Sequence, residues 1–174
     1  MRAQHDEEFA EFFHATWGRL YRTTYAVAGD AGRAEDALQA AFAKAYAVWP
    51  KVRAADHPEA YVRRMAINET LGTRRRTWFR SERSTPLLEH AAAPEAAGHE
   101  EGVVERDALW TAILTLPPGQ RAVMVLRYYE DLDEAQIAHT LGCSRGTVKS
   151  QASAALRNLR RQFADAPVSP GGTS

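Results

Sequence analysis

Cysteine is nearly absent from the sequence, since Cys143 is the single one among 174 residues. One cysteine excludes an internal disulfide framework and a zinc site built from several thiolates. Long apolar runs are absent as well, and none approaches the ~20 residues of a membrane-spanning helix. Residues 1–8 are acidic, where a signal peptide would be basic and then apolar. We therefore expect a cytoplasmic protein without membrane insertion.

An excess of one charge sign is also missing, because 22 Lys and Arg balance 22 Asp and Glu. Binding to a polyanion must therefore come from local clusters of basic residues. The chain has no P-loop, no GxSxG and no GxGxxG motif. Its six histidines form no metal-binding array, and no second ligand pair lies near His139 and Cys143. The sequence thus predicts a non-enzyme with no metal, no cofactor and no small-molecule substrate.

Apolar side chains at helical spacing are what the chain does have. They make up 45% of the residues and recur at steps of three and four in residues 8–77 and 103–163. Residues 78–102, rich in Ala, Pro, Ser and Gly, predict a flexible linker, and residues 164–174 predict a disordered tail. No convincing strand alternation is found. The sequence therefore predicts an all-α protein with two small helical domains.

Turn and capping residues divide the first block into three predicted helices. The first ends at residues 29–32, and the second ends at Pro50. Asp56 is placed to cap the third helix, with Pro58 in its first turn. We expect this third helix to run to about Arg75.

A helix-turn-helix is predicted in the second block. Asp133 can cap a short helix over residues 134–141, Gly142 can form the turn, and Ser144 can cap the last helix. Residues 144–161 contain five basic residues and no acid.

The polar face of this last helix suits the major groove of DNA. Side chains that can project away from its apolar stripe are Arg145, Thr147, Lys149, Ser150 and Gln151. Arg and Lys can read guanine there, and Gln can read adenine. The alternative is a solvated face on an ordinary helical hairpin.

A second basic region covers residues 51–83, with nine basic residues against four acidic ones. Aromatic residues are interleaved with the cations, so the region could bind single-stranded nucleic acid. The competing interpretation places Trp49 and Tyr61 in the core. It also places the three arginines at residues 74–76 at the C-terminus of a helix, where the helix dipole favours basic side chains.

Three segments, in this order, resemble parts of the sigma-70 family of RNA polymerase sigma factors. The first is Ala-Glu-Asp-Ala-Leu-Gln at residues 34–39, followed by Phe42 and Trp49. The second is Pro-Glu-Ala-Tyr-Val-Arg-Arg-Met-Ala-Ile-Asn at residues 58–68, followed by the arginines 74–76. The third is Leu-Pro-Pro-Gly-Gln-Arg at residues 116–121, followed by Gly-Thr-Val-Lys-Ser at residues 146–150. They are similar, respectively, to the helix that grips the polymerase clamp helices, the −10-element helix and the −35-binding helix-turn-helix. Two domains and a linker resemble the extracytoplasmic-function (ECF) group. Residues 127–132 and 149–153 look most like the actinobacterial SigE-type subgroup.

The resemblance implies a specificity subunit that binds core RNA polymerase and promoter DNA. It implies that Asp36, Leu38 and Gln39 face the polymerase. It implies −10 contacts from Arg63, Arg64, Asn68, Arg74 and Arg75, with a flipped base near the loop of residues 49–57. It implies −35 contacts from Arg145, Thr147, Lys149, Ser150 and Gln151.

Two departures from the ECF pattern affect these expectations. Gln151 and Ala154 stand where many ECF factors have arginines, which predicts a weaker or differently specific −35 contact. The chain has no long C-terminal extension and no zinc-type anti-sigma feature, so any regulation is expected from another protein, such as an anti-sigma factor.

Two other classes of protein remain open on the residues alone. A two-domain helix-turn-helix regulator that does not join polymerase would look similar over residues 116–160, but it needs a ligand pocket or a phosphoacceptor in the first block. A protein-binding helical adaptor would not need an acid-free last helix.

Overall fold

The structure is a computed structural model that describes residues 2–72 and 101–164, the side chains of residues 2 and 101–105 excepted. These residues form eight α-helices and no strand, which confirms the all-α prediction. The helices are α1 (Arg2–Ala28), α2 (Ala31–Ala47), α3 (Trp49–Arg53), α4 (Pro58–Leu71), α5 (Glu101–Leu114), α6 (Pro118–Tyr128), α7 (Glu134–Leu141) and α8 (Arg145–Ala164). Residues 78–100 of the predicted linker and residues 165–174 of the predicted tail lie outside the described residues. Residues 101 and 102, predicted as linker, begin α5.

The first block, α1 to α4, encloses an aromatic core. Helix α1 packs against both α2 and α4. Trp17 stacks on Phe42 with ring centroids 5.6 Å apart, and Leu20 and Leu38 are fully buried between the helices. Asp30 caps α2 by accepting a hydrogen bond from the Arg33 amide at 2.7 Å. The predicted break at residues 29–32 is confirmed at Gly29 and Asp30, whereas residues 31 and 32 already belong to α2.

The boundaries of α3 and α4 differ from the prediction. Helix α2 ends at Ala47, and Pro50 lies in the first turn of the short helix α3 instead of ending a longer one. His57, not Asp56, is the N-cap of α4, and no side chain bonds to that end. Helix α4 ends at Leu71 rather than near Arg75, because Gly72 has a φ of 59°, a conformation that glycine adopts without steric cost.

The second block, α5 to α8, contains the predicted helix-turn-helix. Asp133 and Gln136 form a reciprocal capping box at the start of α7. Gly142 adopts the left-handed conformation between the two helices. Ser144 Oγ accepts from the Thr147 amide at 3.0 Å and so caps α8. The predicted apolar stripe of α8 is buried at Val148, Ala152, Ala155 and Leu159 and half-buried at Leu156, whereas Phe163 is 48% exposed.

The two blocks share one hydrophobic core. Helix α1 packs against α6, and α4 packs against α7. Val27 and Ile67 of the first block belong to the same buried cluster as Val123 and Leu126 of the second. Tyr25 also stacks on Trp110 across the boundary. In this conformation, therefore, the two blocks are docked against each other.

Candidate nucleic-acid interface

The face of α8 that the sequence predicts to contact DNA has two cationic side chains exposed to solvent. The side chains of Arg145 and Lys149 are 67% and 64% exposed. They lie one helical turn apart, because an i, i+4 pair shares a face of a helix. This surface has the charge and the access that contact with a DNA duplex requires.

The carboxylate of Glu134 lies close to both of these cations and to a third. Its Oε2 lies 3.7 Å from Arg145 Nη2 and 3.7 Å from Lys149 Nζ, and its Oε1 lies 3.9 Å from Arg127 Nη2. The capping box of Asp133 places Glu134 in the first turn of α7, where the helix dipole favours an anion. The two α8 cations are thus held side by side without DNA.

The three other residues predicted on this face are half-buried. The Ser150 hydroxyl donates to the Thr147 carbonyl at 3.0 Å, and the Thr147 hydroxyl lies 2.9 Å from Ser144 Oγ. The Ser144–Thr147 contacts lie at the start of α8 and support its cap, whereas the Ser150 hydroxyl is used within its own helix. Gln151 is also half-buried. Of the five predicted residues, Arg145 and Lys149 are therefore the most exposed.

The described residues of the predicted −10 face lie on α4 and turn toward the second block. Arg63 Nη1 donates to Glu130 Oε2 at 2.7 Å, and their side chains are 15% and 17% exposed. Arg64 Nη1 lies 3.0 Å from His139 Nε2 of α7. Asn68 lines the same cleft of about 850 Å³ as Arg64 and His139. Arg74 and Arg75 lie outside the described residues.

Glu130 was not among the residues predicted to matter, yet it joins three helices. It follows α6, one of its oxygens accepts from Thr23 of α1, and the other accepts from Arg63 of α4. In the sequence it is one of several acids ahead of the helix-turn-helix, and no local pattern separates it from Asp131. Only the spatial neighbours identify its role.

Of the three α2 residues predicted to face polymerase, two lie on the surface and the third is buried. Asp36 and Gln39 are exposed, and Gln39 Nε2 donates to Glu35 Oε1 at 3.2 Å. Leu38 is 0% exposed and belongs to the core. Residues two apart on a helix face nearly opposite directions, so Leu38 points inward where Asp36 points outward.

Arg121 is a buried cation that no sequence pattern had singled out as a contact between the blocks. Its guanidinium donates to the carbonyl oxygens of Val27 at 2.8 Å, Leu114 at 2.8 Å and Ala28 at 3.3 Å. Burial lowers the pKa of Arg121 to about 10, so the group stays charged at neutral pH. It binds the last carbonyls of α1, where a cation is favoured.

Across residues 2–72 and 101–164, no group of three His, Cys, Asp or Glu side chains could hold a metal ion. In the same part of the chain, no helix has the length and apolar character needed to cross a membrane.

Two family descriptions match the chain. Residues 12–80 match "Sigma-70 region 2", and residues 106–159 match "Sigma-70, region 4". The first match contains the α2 and α4 faces, and the second contains the helix-turn-helix.

Similar proteins carry names of the same kind. The RNA polymerase sigma-E factor of Streptomyces antibioticus is 33% identical over 157 residues, which cover 90% of this chain and 84% of that protein. The ECF RNA polymerase sigma factor SigL of Mycobacterium tuberculosis is 31% identical over 172 residues, covering 92% and 86%.

A solved structure has a similar fold. It is the sigma factor RpoE of Bartonella quintana, crystallised with the anti-sigma factor NepR. The TM-score is 0.65, and the match covers 92% of this chain and 99% of that one at 19% identity. At this identity the likeness bears on the fold alone.

Proposed function

Since the chain belongs to the sigma-70 family of RNA polymerase sigma factors, we propose that its two blocks bind two different promoter elements through the residues described above. The chain is an alternative sigma factor of the ECF type, which binds core RNA polymerase and directs promoter recognition. It acts as a transcription initiation factor, and we assign no catalytic step to it. We place it in the cytoplasm, with the polymerase that it serves.

The second block is proposed to bind the −35 element as a duplex. The observation that carries this assignment is the capped helix-turn-helix with Arg145 and Lys149 exposed on its second helix. Thr147, Ser150 and Gln151 flank the two cations on the same helix. Arg and Lys donors on such a helix reach the acceptor edge of guanine in the major groove.

The first block is proposed to bind the opened −10 strand through α4. Arg63 and Arg64 supply cations for the phosphates, and Asn68 supplies an amide for a base edge. Arg74 and Arg75, which follow α4 in the sequence, extend the same basic segment. Binding an unpaired base offsets the few kcal/mol that unstacking costs.

Core polymerase is proposed to bind the outer face of α2, which includes Asp36 and Gln39. Within the described residues, α1 and α4 pack on the opposite side of α2 and leave this face exposed. Because the solved sigma factor of similar fold is bound to an anti-sigma factor, we also propose an anti-sigma factor as a partner of this chain.

Reconstituted transcription tests the proposal. Purified chain and core polymerase are combined with a library of genomic fragments, and the 5′ ends of the transcripts are sequenced. We expect initiation at a set of promoters that share −10 and −35 sequences and that core alone does not use. The double variant R145A/K149A should bind core as well as the wild type and lose this selectivity. Failure of the wild type to bind core would contradict the proposal.

A further inference from the structure

The proposed −35 surface contains an acid as well as cations, because the carboxylate of Glu134 lies within it. Glu134 Oε2 is 3.7 Å from both Arg145 Nη2 and Lys149 Nζ, and its Oε1 is 3.9 Å from Arg127 Nη2. The Glu134 side chain is 21% exposed, whereas the two α8 side chains are mostly exposed. The acid is therefore less accessible than the two α8 cations that it pairs with.

The start of α7 fixes the position of this carboxylate. Glu134 is the first residue of α7 and follows the N-cap of the capping box that Asp133 and Gln136 form. The helix dipole favours an anion in this first turn. The cation partners of Glu134 come from α6 and α8, so the carboxylate links three helices of the second block.

The three distances are those of ion pairs without a direct hydrogen bond, since charge-assisted N–H···O bonds measure about 2.7–2.9 Å. The guanidinium of Arg145 and the ammonium of Lys149 therefore keep their N–H donors available for the acceptor atoms of a base. Long side chains lose rotamer freedom when they bind. A carboxylate between the two cations reduces that loss, because it restricts both side chains before DNA arrives.

The same carboxylate opposes contact with phosphates. When the second helix of a helix-turn-helix lies in the major groove, the first helix crosses the DNA backbone. Glu134 is at the start of that first helix, and like charges that face each other across an interface disfavour binding. Phosphates are present in every DNA sequence, so this repulsion weakens binding to all duplexes, whereas the base contacts form only on the matching sequence.

We propose that Glu134 is a specificity-determining residue of the −35 site: it positions Arg145 and Lys149 for base edges and reduces their binding to the phosphates of unrelated DNA. It acts through the two cations and is a positioning residue. The inference rests on the proposed −35 function of the second block and adds the source of its sequence selectivity. Residues 144–161 contain no acid, so the neighbouring helix supplies it.

The test compares the full-length wild type with E134Q and D131N, without polymerase. Fluorescence anisotropy gives the affinity of each for a duplex with the −35 sequence of the promoters used with core, and for a scrambled duplex, at several salt concentrations. D131N is the matched control, because it removes one negative charge three residues away at an exposed position. Asn also tolerates the φ of 53° at Asp131.

We expect E134Q to bind the scrambled duplex about tenfold more tightly than the wild type and to steepen the salt slope by about 1, since one more phosphate is neutralised. The −35 duplex gains the same attraction but loses the positioned base contacts, so its affinity should change by less than about threefold. The ratio of the two affinities, which measures specificity, should therefore fall. D131N should keep the ratio and the slope of the wild type.

E134D separates this role from support of α7, because it keeps a carboxylate in the first turn. It should retain the salt slope and the weak scrambled-duplex binding of the wild type. If E134Q instead weakens both duplexes by the same factor with an unchanged slope, Glu134 only supports the helix and the inference is overturned.

The wild type by itself tests the function on which the inference rests. If it prefers the −35 duplex and E134Q keeps the same ratio and slope, the role of Glu134 alone is wrong and the proposed −35 site stands. If the wild type binds both duplexes equally, the −35 assignment fails and the inference fails with it.

Discussion

Lys149 and Asn68 differ in their exposure to solvent. Lys149 belongs to the proposed −35 site and Asn68 to the proposed −10 site. Lys149 is exposed on α8 and approaches a duplex without rearrangement. Asn68 is half-buried in the cleft between α4 and α7. A residue that reads a duplex edge contributes before the DNA opens, whereas one that reads an extruded base contributes only afterwards.

We expect K149A to weaken binding to a closed −35 duplex, by about 1–3 kcal/mol if Lys149 contacts a base. If it contacts a phosphate, the salt slope should fall by about 1 instead. N68A should leave duplex binding unchanged and impair open-complex formation by the holoenzyme. Gel shifts and permanganate footprinting measure the two effects. Equal loss of duplex binding in both variants would contradict this division of roles.

Removal of Arg121 should weaken the joined core, because its guanidinium links carbonyls of both blocks. R121A leaves the carbonyls of Val27, Ala28 and Leu114 without their donor inside the protein. We expect a loss of about 2–4 kcal/mol in the free energy of unfolding, because buried unsatisfied acceptors carry the full desolvation cost. Urea denaturation measures it. R127A, which removes a more exposed arginine of the same helix, should cost about 1 kcal/mol or less. An R121A loss no larger than that of R127A would refute the role.

At the scale of the element, α2 separates two functions by helical periodicity. Its inner face, with Leu38 and Phe42, is part of the first core. Its outer face, with Asp36 and Gln39, is exposed. A charge change on the outer face should therefore alter binding without altering the fold.

We expect D36R to weaken binding to core polymerase while its thermal unfolding matches the wild type. A reversed charge at an interface costs more than a lost contact, because like charges then face each other. Co-purification with core measures the effect. E11R, an equal charge change at an exposed position of α1, is the control and should bind core normally. If D36R co-purifies with core as well as E11R does, the polymerase lies elsewhere.

The whole molecule combines a predicted linker with a shared core. The composition of residues 78–102 predicts few apolar contacts and early cleavage by protease. The apolar cluster common to both blocks and the bonds of Arg121 should hold the two pieces together after cleavage.

Limited proteolysis followed by gel filtration tests this behaviour. We expect two helical fragments of about 75 and 70 residues that elute together at the volume of the uncut chain. Intact Tyr25–Trp110 stacking should keep the near-ultraviolet circular dichroism unchanged. Separate elution of the fragments would show that the docked form is not stable without the linker.

Local features of the fold were predictable because neighbouring residues determine them. Asp133, Gly142 and Ser144 each act within four residues of their own position, and the helix-turn-helix forms where they predict it. The spacing of apolar residues likewise placed Phe42 and Leu159 in cores. The end of α4 was misplaced because the arginines at residues 74–76 suggested a helix C-terminus, whereas Gly72 ahead of them already ends the helix.

The sequence by itself determined the all-α class, the helix-turn-helix and the family, since these depend on short motifs in a fixed order. Only the tertiary structure decided which site residues are accessible. Leu38 is buried by helices that meet it from elsewhere in the chain, and Arg63 is paired with Glu130 across 67 residues of sequence. Such contacts depend on how whole helices pack against each other. A local sequence pattern therefore cannot identify a contact partner that is distant in the chain.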